Sequence, residues 1–99
     1  MTDYAKAVQA DQRLCVLRTL EDSQASRANE GVLQASLQMY GHSLTRDQVS
    51  SLTEWLKENG LVTLETLGEG IRIVKLTERG EDVALGKIKQ PGVRKPRLS

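Results

Sequence analysis

The sequence is poor in the residues on which several classes of protein depend. Its 99 residues include one cysteine (Cys15), one histidine (His42), two prolines and no phenylalanine. One cysteine excludes an internal disulfide, and one cysteine with one histidine excludes a Cys/His metal cluster within the chain. No apolar run approaches the roughly 20 residues of a membrane helix, and residues 1–6 lack the layout of a secretion signal. We therefore expect a soluble cytoplasmic protein with no membrane, metal or cofactor.

The motifs of common enzyme classes are also missing. The sequence has no glycine-rich phosphate loop and no dinucleotide-binding fingerprint. A Cys15–His42 nucleophile pair is formally possible, but Cys15 lies in an apolar helical stretch, where an inert buried thiol is usual. His42 follows a glycine in a turn, which favours an exposed or capping imidazole over a ligand. A chain this short has little room for a deep substrate pocket. The sequence predicts that the protein is not an enzyme.

The sequence does have an ordinary globular composition and an uneven distribution of charge. Hydrophobic residues make up 38% and charged residues 27%, which fits one compact domain. The net charge is +1, but the last 13 residues hold five of the 14 basic residues and none of the 13 acidic ones. Residues 1–86 are therefore mildly acidic at −4, and residues 87–99, the tail, carry +5. An acidic body with a basic tail constrains every functional hypothesis.

Three helices are predicted in the first 60 residues. The first spans about 3–22. The second is capped by Asn29 and ends before Gly41, and the third begins at a capping box of Thr45 and Gln48. The apolar positions that recur at helical spacing are Leu14, Leu17, Leu20, Val32, Leu33, Leu37, Val49, Leu52 and Leu56. The short turn between the second and third helices predicts a helix-turn-helix.

The pattern then changes from helical to alternating. Residues 61–67 and 71–76 are rich in β-branched residues, and 68–70 form a short hairpin loop between them. A last short helix, 78–85, follows a cap at Thr77, and the tail is expected to be extended. The predicted class is mainly α with a β-hairpin: a winged helix-turn-helix of order α-α-α-β-β-α. Residues 1–86 form the domain and 87–99 the basic tail.

Five segments carry a more specific resemblance, and it spans nearly the whole chain. They are Arg27-Ala28-Asn29-Glu30, Leu44-Thr45-Arg46-Asp47, Trp55-Leu56-Lys57-Glu58-Asn59-Gly60-Leu61-Val62, Leu76-Thr77-Glu78-Arg79-Gly80 and Pro91-Gly92-Val93-Arg94-Lys95-Pro96. The chain is similar to a family of small proteins from Mu-like phages and prophages, described as ArsR-like winged-helix proteins. The resemblance implies this fold, a bacterial host cytoplasm and, by its label, DNA binding. The chain lacks the cysteine and histidine clusters of metal-sensing ArsR repressors.

Helix 45–59 is the element expected to enter a DNA major groove. Its apolar stripe, Val49, Leu52 and Leu56, faces inward. Helical geometry then turns Asp47, Ser50, Glu54 and Glu58 outward and places Arg46, Ser51, Thr53 and Lys57 on the flanks. The candidate DNA contacts are Thr45, Arg46, Gln48, Ser50, Ser51, Arg72, Lys87, Lys89, Arg94, Lys95 and Arg97.

Several of these residues also have a structural interpretation. Arg46 either contacts a guanine or, as a structural residue, pairs with a neighbouring acid. Gln48 either contacts an adenine or completes the capping box. Trp55, at the edge of the apolar stripe, is expected to pack rather than to stack on a base. The tail is either an arm that follows the phosphate backbone or a solvated terminus.

Two functions from different classes remain. The first is a DNA-binding transcriptional regulator or accessory factor that forms a homodimer through its long first helix. The second is a winged-helix module that binds a phage or host protein during assembly or as an adaptor, without direct DNA binding. The carboxylates on the outward face of helix 45–59 motivate the second function, because they repel phosphate.

Overall fold

The structure is a computed structural model that describes residues 1–97. This part of the chain forms four α-helices and one three-stranded antiparallel sheet. The elements are α1 (Asp3–Asp22), β1 (Arg27–Asn29), α2 (Glu30–Met39), α3 (Arg46–Glu58), β2 (Val62–Leu67), β3 (Ile71–Leu76) and α4 (Glu78–Ala84). None of the helices within residues 1–97 combines the length and the apolar character needed to cross a bilayer.

Local signals set the start of each helix. Every α-helix begins after a Thr or Asn whose side chain accepts a hydrogen bond from a first-turn backbone N–H: Thr2, Asn29, Thr45 and Thr77. The predicted capping box is confirmed. Thr45 Oγ1 accepts from Gln48 N at 3.1 Å, and Gln48 Oε1 accepts from Thr45 N at 2.8 Å.

Helices α2 and α3 form a helix-turn-helix, and the hairpin β2–β3 follows it directly. After α2 the chain turns at Gly41, whose φ of +89° suits glycine, and the His42 N–H donates to Leu37 O at 2.8 Å. The hairpin loop is three residues long, as the sequence predicts. The architecture is therefore of the winged-helix type.

The sheet contains one strand that the sequence analysis did not predict, so the order α-α-α-β-β-α omits an element. Strand β1 pairs with the free edge of β3 in the register Arg27↔Lys75, Ala28↔Val74 and Asn29↔Ile73, giving the sheet order β1-β3-β2. Three residues are too few to show a period, and Ala and Asn are not strand formers. The strand exists because β3 offers unpaired backbone groups there.

One hydrophobic core lies between the helices and the inner face of the sheet. Its fully buried members are Val16, Leu17, Leu20, Leu33, Leu37, Val49, Leu56, Leu61, Val62 and Val74. The apolar stripe of α1 thus belongs to the core of its own chain. Thr53 also faces the core and is fully buried, so its predicted position on a flank of α3 is wrong. Helix α3 turns its Val49–Thr53–Leu56 side inward because Thr53 has a buried hydrogen-bond partner.

The basic tail is not extended away from the body. Residues 87–97, called the C-terminal segment below, fold back across the end of α3 and reach α1. The Arg94 N–H donates to Ala10 O at 3.1 Å, Val93 packs against the core, and Gln90 is buried. The domain boundary at residue 86 stays a prediction. The last two residues of the predicted tail, 98 and 99, lie outside the described part of the chain.

Candidate nucleic-acid interface

The exposed face of α3 is acidic. Asp47 and Glu58 are exposed, and the Glu54 side chain retains 46% of its accessible surface. Ser51 is exposed between them and carries no charge. The predicted outward positions of the three carboxylates therefore hold. A surface of this kind repels phosphate wherever no cation lies beside it.

The first turn of α3 uses most of its polar groups within the protein. Thr45 and Gln48, both candidate DNA contacts, serve the capping box. Arg46 is exposed, but its Nε donates to Gln34 Oε1 on α2 at 3.3 Å. That amide in turn donates to Leu44 O at 2.9 Å. Arg46 is therefore held by a neutral amide, and no carboxylate of the described residues pairs with it.

A buried carboxylate, which the sequence analysis missed, joins α2, α3 and the hairpin. Glu30 is only 5% exposed. It accepts hydrogen bonds from Ser50 Oγ at 3.0 Å and from Thr53 Oγ1 at 2.7 Å. Arg72 Nε of β3 lies 3.4 Å from the same carboxylate. Ser50, a candidate DNA contact, is consequently half-buried and directed toward Glu30 rather than outward.

Arg72 is the cation of this group, and its charge is compensated twice. Its Nη2 lies 3.0 Å from Glu54 Oε1, and the side chain is 24% exposed. We call these residues the Glu30 junction: Glu30, Ser50, Thr53, Glu54 and Arg72. The one sequence signal for it was Thr53, which follows Val49 by one helical turn and can share its buried side, since a buried hydroxyl needs a partner.

The C-terminal segment is fixed to α1 by an ion pair that His42 shares. Arg94 Nη1 lies 2.8 Å from Asp11 Oδ1, and His42 Nε2 lies 2.8 Å from Asp11 Oδ2. Partial burial acts to raise the pKa of Asp11, but the hydrogen bonds and charges of His42 and Arg94 together lower it below its ordinary value. The His42 side chain is only 12% exposed, so the expectation of an exposed or capping imidazole is wrong.

An aromatic contact holds the same segment against α3. The Arg13 guanidinium lies over the Trp55 ring, 3.8 Å from its centroid, and donates to Gly92 O at 3.0 Å. Gln90 bridges Arg79 and Asn59 at 2.8 and 3.3 Å. Trp55 therefore packs within the protein, as the sequence analysis favours.

The remaining cations of the C-terminal segment are free. Lys87, Lys89, Lys95 and Arg97 are exposed, and none of them belongs to an ion pair within the described residues. Burial raises the pKa of the half-buried Cys15 thiol of α1. Within residues 1–97, no three His, Cys, Asp or Glu side chains are grouped as a metal site requires.

Comparison with known proteins relates the chain to one phage protein and one bacterial protein. No family model, ArsR-like or other, matches it. It is 47% identical over 87 residues to the uncharacterized protein gp26 of Escherichia phage Mu, covering 88% of each chain. It is 38% identical over 76 residues to an uncharacterized Haemophilus influenzae protein, covering 77% of this chain and 74% of that one.

A solved structure shares the fold. The structure of a complex of hsRosR-S1 superposes with a TM-score of 0.64 at 17% identity, over 88% of this chain and 69% of that chain. An identity this low shows a common fold and nothing finer. The sequence relatives are much closer, and they cover most of their own length. The chain belongs to the family of phage Mu protein gp26.

Proposed function

We propose that this protein binds double-stranded DNA, as a regulator of transcription or an accessory factor encoded by a Mu-like phage or prophage and acting in the host cytoplasm. The observation that carries the proposal is the fold: a helix-turn-helix whose second helix exposes one face and is followed directly by a β-hairpin. Arg46, with its charge uncompensated at the start of α3, and the free cations of the C-terminal segment supply contacts to phosphate.

Homodimerisation is part of the proposal, but the apolar stripe of α1 does not support it. Leu14, Val16, Leu17 and Leu20 are buried in the core of their own chain. A dimer interface on α1 would have to form at the first turns of that helix, where the Tyr4 side chain is exposed. Sedimentation of the full chain at increasing concentration measures this directly.

The test of DNA binding is fluorescence anisotropy of a labelled random-sequence duplex, titrated with full-length protein at several salt concentrations. We expect binding at low salt, and we expect Arg46→Gln to weaken it several-fold and to lower the salt slope by about one unit. Arg18→Gln is the matched control, because Arg18 is an exposed cation on α1. Absence of binding at the lowest salt would contradict the proposal. A truncation after residue 86 is unsuitable, since it removes buried Gln90 and the packing of Val93 against the core.

A second function has one specific observation in its favour, the acidic exposed face of α3. A basic surface of a phage or host protein would complement Asp47 and Glu58. The double variant Asp47→Asn, Glu58→Gln distinguishes the two functions, and it leaves Glu54 in place to compensate Arg72. The variant should bind DNA more tightly if the face lies against phosphate. If the face is a protein docking surface, the variant should lose capture of the partner from host extract, and neither the wild type nor the variant should bind the duplex.

A further inference from the structure

The folded C-terminal segment borders a small basic cavity that is open to solvent. Its volume is about 200 Å³, and the cations that line it are Lys87, Lys89, Arg94 and Lys95. No acidic residue is among the described residues that line it. The cavity is smaller than the roughly 300 Å³ at which pockets for drug-sized ligands begin. It therefore suits one small charged group better than a whole metabolite.

The chemistry of the lining favours an anion. Three lysines without a carboxylate partner repel one another around this concavity, and an anion between them lowers that repulsion. Lys87, Lys89 and Lys95 have no carboxylate partner within the described residues, and only one of the five N–H donors of Arg94 is taken by Asp11. The remaining donors are available for an oxyanion.

The cavity is also fixed before any ligand arrives. The Lys87 N–H donates to Asp82 O at 2.8 Å at one end of the loop, and the Arg94 N–H donates to Ala10 O at 3.1 Å at the other. Between them, buried Gln90 and the contact of Gly92 with Trp55 hold the chain in place. Cations on a fixed loop bind with less loss of conformational entropy than cations on a free arm.

We propose that this cavity is a preformed site for one phosphate group, and that the group belongs to the DNA backbone. The inference rests on the proposed function for the source of the phosphate. A preformed site differs from a flexible basic arm in one measurable respect, the number of phosphates that its cations neutralise. A fixed site neutralises one phosphate with several cations, whereas an arm lets each cation neutralise a phosphate of its own. The logarithm of affinity falls with the logarithm of salt by about 0.9 per neutralised phosphate.

The experiment compares the salt slope of duplex binding for the wild type and for the triple variant Lys87→Gln, Lys89→Gln, Lys95→Gln. We expect a loss of about tenfold in affinity at low salt and a fall of about one unit in slope. The control variant Lys6→Gln, Arg18→Gln, Arg27→Gln removes three exposed cations from α1 and β1, and its slope should not change. A fall of about three units in the first variant, or an equal fall in the control, would overturn the single site.

A second measurement separates this inference from the proposed function. Inorganic phosphate is titrated into full-length protein, and the backbone amide resonances of residues 86–95 are followed by NMR. Saturable shifts confined to these residues and absent from the triple variant would support the site. Such shifts in a protein that binds no duplex would assign the site to a free phosphorylated ligand and leave DNA binding contradicted. Duplex binding with no phosphate shifts and an unchanged slope would overturn the site and leave DNA binding intact.

Discussion

The Glu30 junction and the C-terminal segment use their cations in opposite ways. In the junction, the one cation, Arg72, has carboxylates on two sides, Glu30 and Glu54. In the C-terminal segment, only Arg94 pairs with an acid of the described chain, and the other four cations face solvent. Both regions contain cations in the sequence. In the structure, only the cations of the C-terminal segment are available to bind a phosphate. The charge of a segment therefore indicates phosphate binding only after its internal partners are known.

The two regions differ because they are held together by different interactions. Ion pairs and hydroxyl hydrogen bonds between side chains hold the Glu30 junction together, and they compensate the charge of Arg72. The C-terminal segment is held mainly by a backbone hydrogen bond to Ala10, by buried Gln90 and by the contact of Gly92 with Trp55. These contacts require no lysine. The segment can thus be ordered and still present its cations to a ligand.

Removal of Glu30 should have the largest effect on stability. Glu30→Ala leaves the buried Thr53 hydroxyl without its carboxylate acceptor and takes one of the two counter-charges from Arg72, so we expect a loss of about 3 kcal/mol in the free energy of unfolding. Glu30→Gln keeps an acceptor and should lose less. Urea denaturation measures the change. Glu58→Ala, at an exposed position of α3, is the control and should stay within about 0.5 kcal/mol. Equal losses for Glu30→Ala and Glu58→Ala would show that the junction does not stabilise the fold.

A methyl group at Gly92 should release the C-terminal segment. Gly92 has a φ of +89°, and an added Cβ would lie 2.8 Å from the Trp55 ring. We expect Gly92→Ala to weaken docking of the segment by about 2 kcal/mol, the sum of left-handed strain and steric contact. Exchange of the Arg94 amide hydrogen should then rise about 30-fold.

Gly41 provides a matched control for this substitution. It has the same φ of +89°, and nothing lies within 4 Å of an added Cβ. Gly41→Ala therefore carries the backbone strain without the contact with Trp55, and it should leave exchange of the Arg94 amide unchanged. If Gly92→Ala also leaves that exchange unchanged, the segment is not held through Trp55.

The sequence was sufficient for the features that neighbouring residues determine. The caps at Asn29, Thr45 and Thr77, the turn at Gly41 and the hairpin loop each depend on a few adjacent residues, and each was predicted correctly. The helix-turn-helix and hairpin follow from these signals and from the change in hydrophobic period. This is why the winged-helix type could be predicted from residues alone.

The features that the sequence did not predict correctly depend on contacts between residues far apart in the chain. Thr53 is buried because Glu30, 23 positions earlier, accepts its hydroxyl. Strand β1 forms only because the edge of β3 is free. The C-terminal segment lies against α1, where the Arg94 N–H meets Ala10 O and the Arg94 guanidinium meets Asp11, 83 positions earlier in the chain. No period or composition encodes such pairs, so the interface residues Ser50, Arg72 and Arg94 could be named as polar but not assigned their partners.

The Asp11–Arg94 pair should have the smallest effect, and it should depend on pH. The folded protein holds the pKa of Asp11 below its ordinary value. The pair therefore contributes its full stability above the unfolded pKa of about 3.9, and loses it as pH falls through the lower folded pKa. Asp11 is about one-third exposed and Arg94 more so, which limits the contribution to less than about 1 kcal/mol.

A double-mutant cycle measures the coupling energy between Asp11 and Arg94 separately from the other contacts of the C-terminal segment. The cycle uses Asp11→Asn and Arg94→Gln, with urea denaturation at pH 7 and near pH 2. We expect a favourable coupling energy at pH 7 and its loss as pH falls through the folded pKa of Asp11, because the protonated carboxyl carries no charge to pair with Arg94. Because the Gly92–Trp55 contact carries no titrating charge, the segment should stay docked when the coupling disappears. A coupling that does not weaken toward pH 2 would contradict the assignment of this energy to the ion pair. Loss of docking at that pH would show that charge, and not the contact with Trp55, holds the segment on the body.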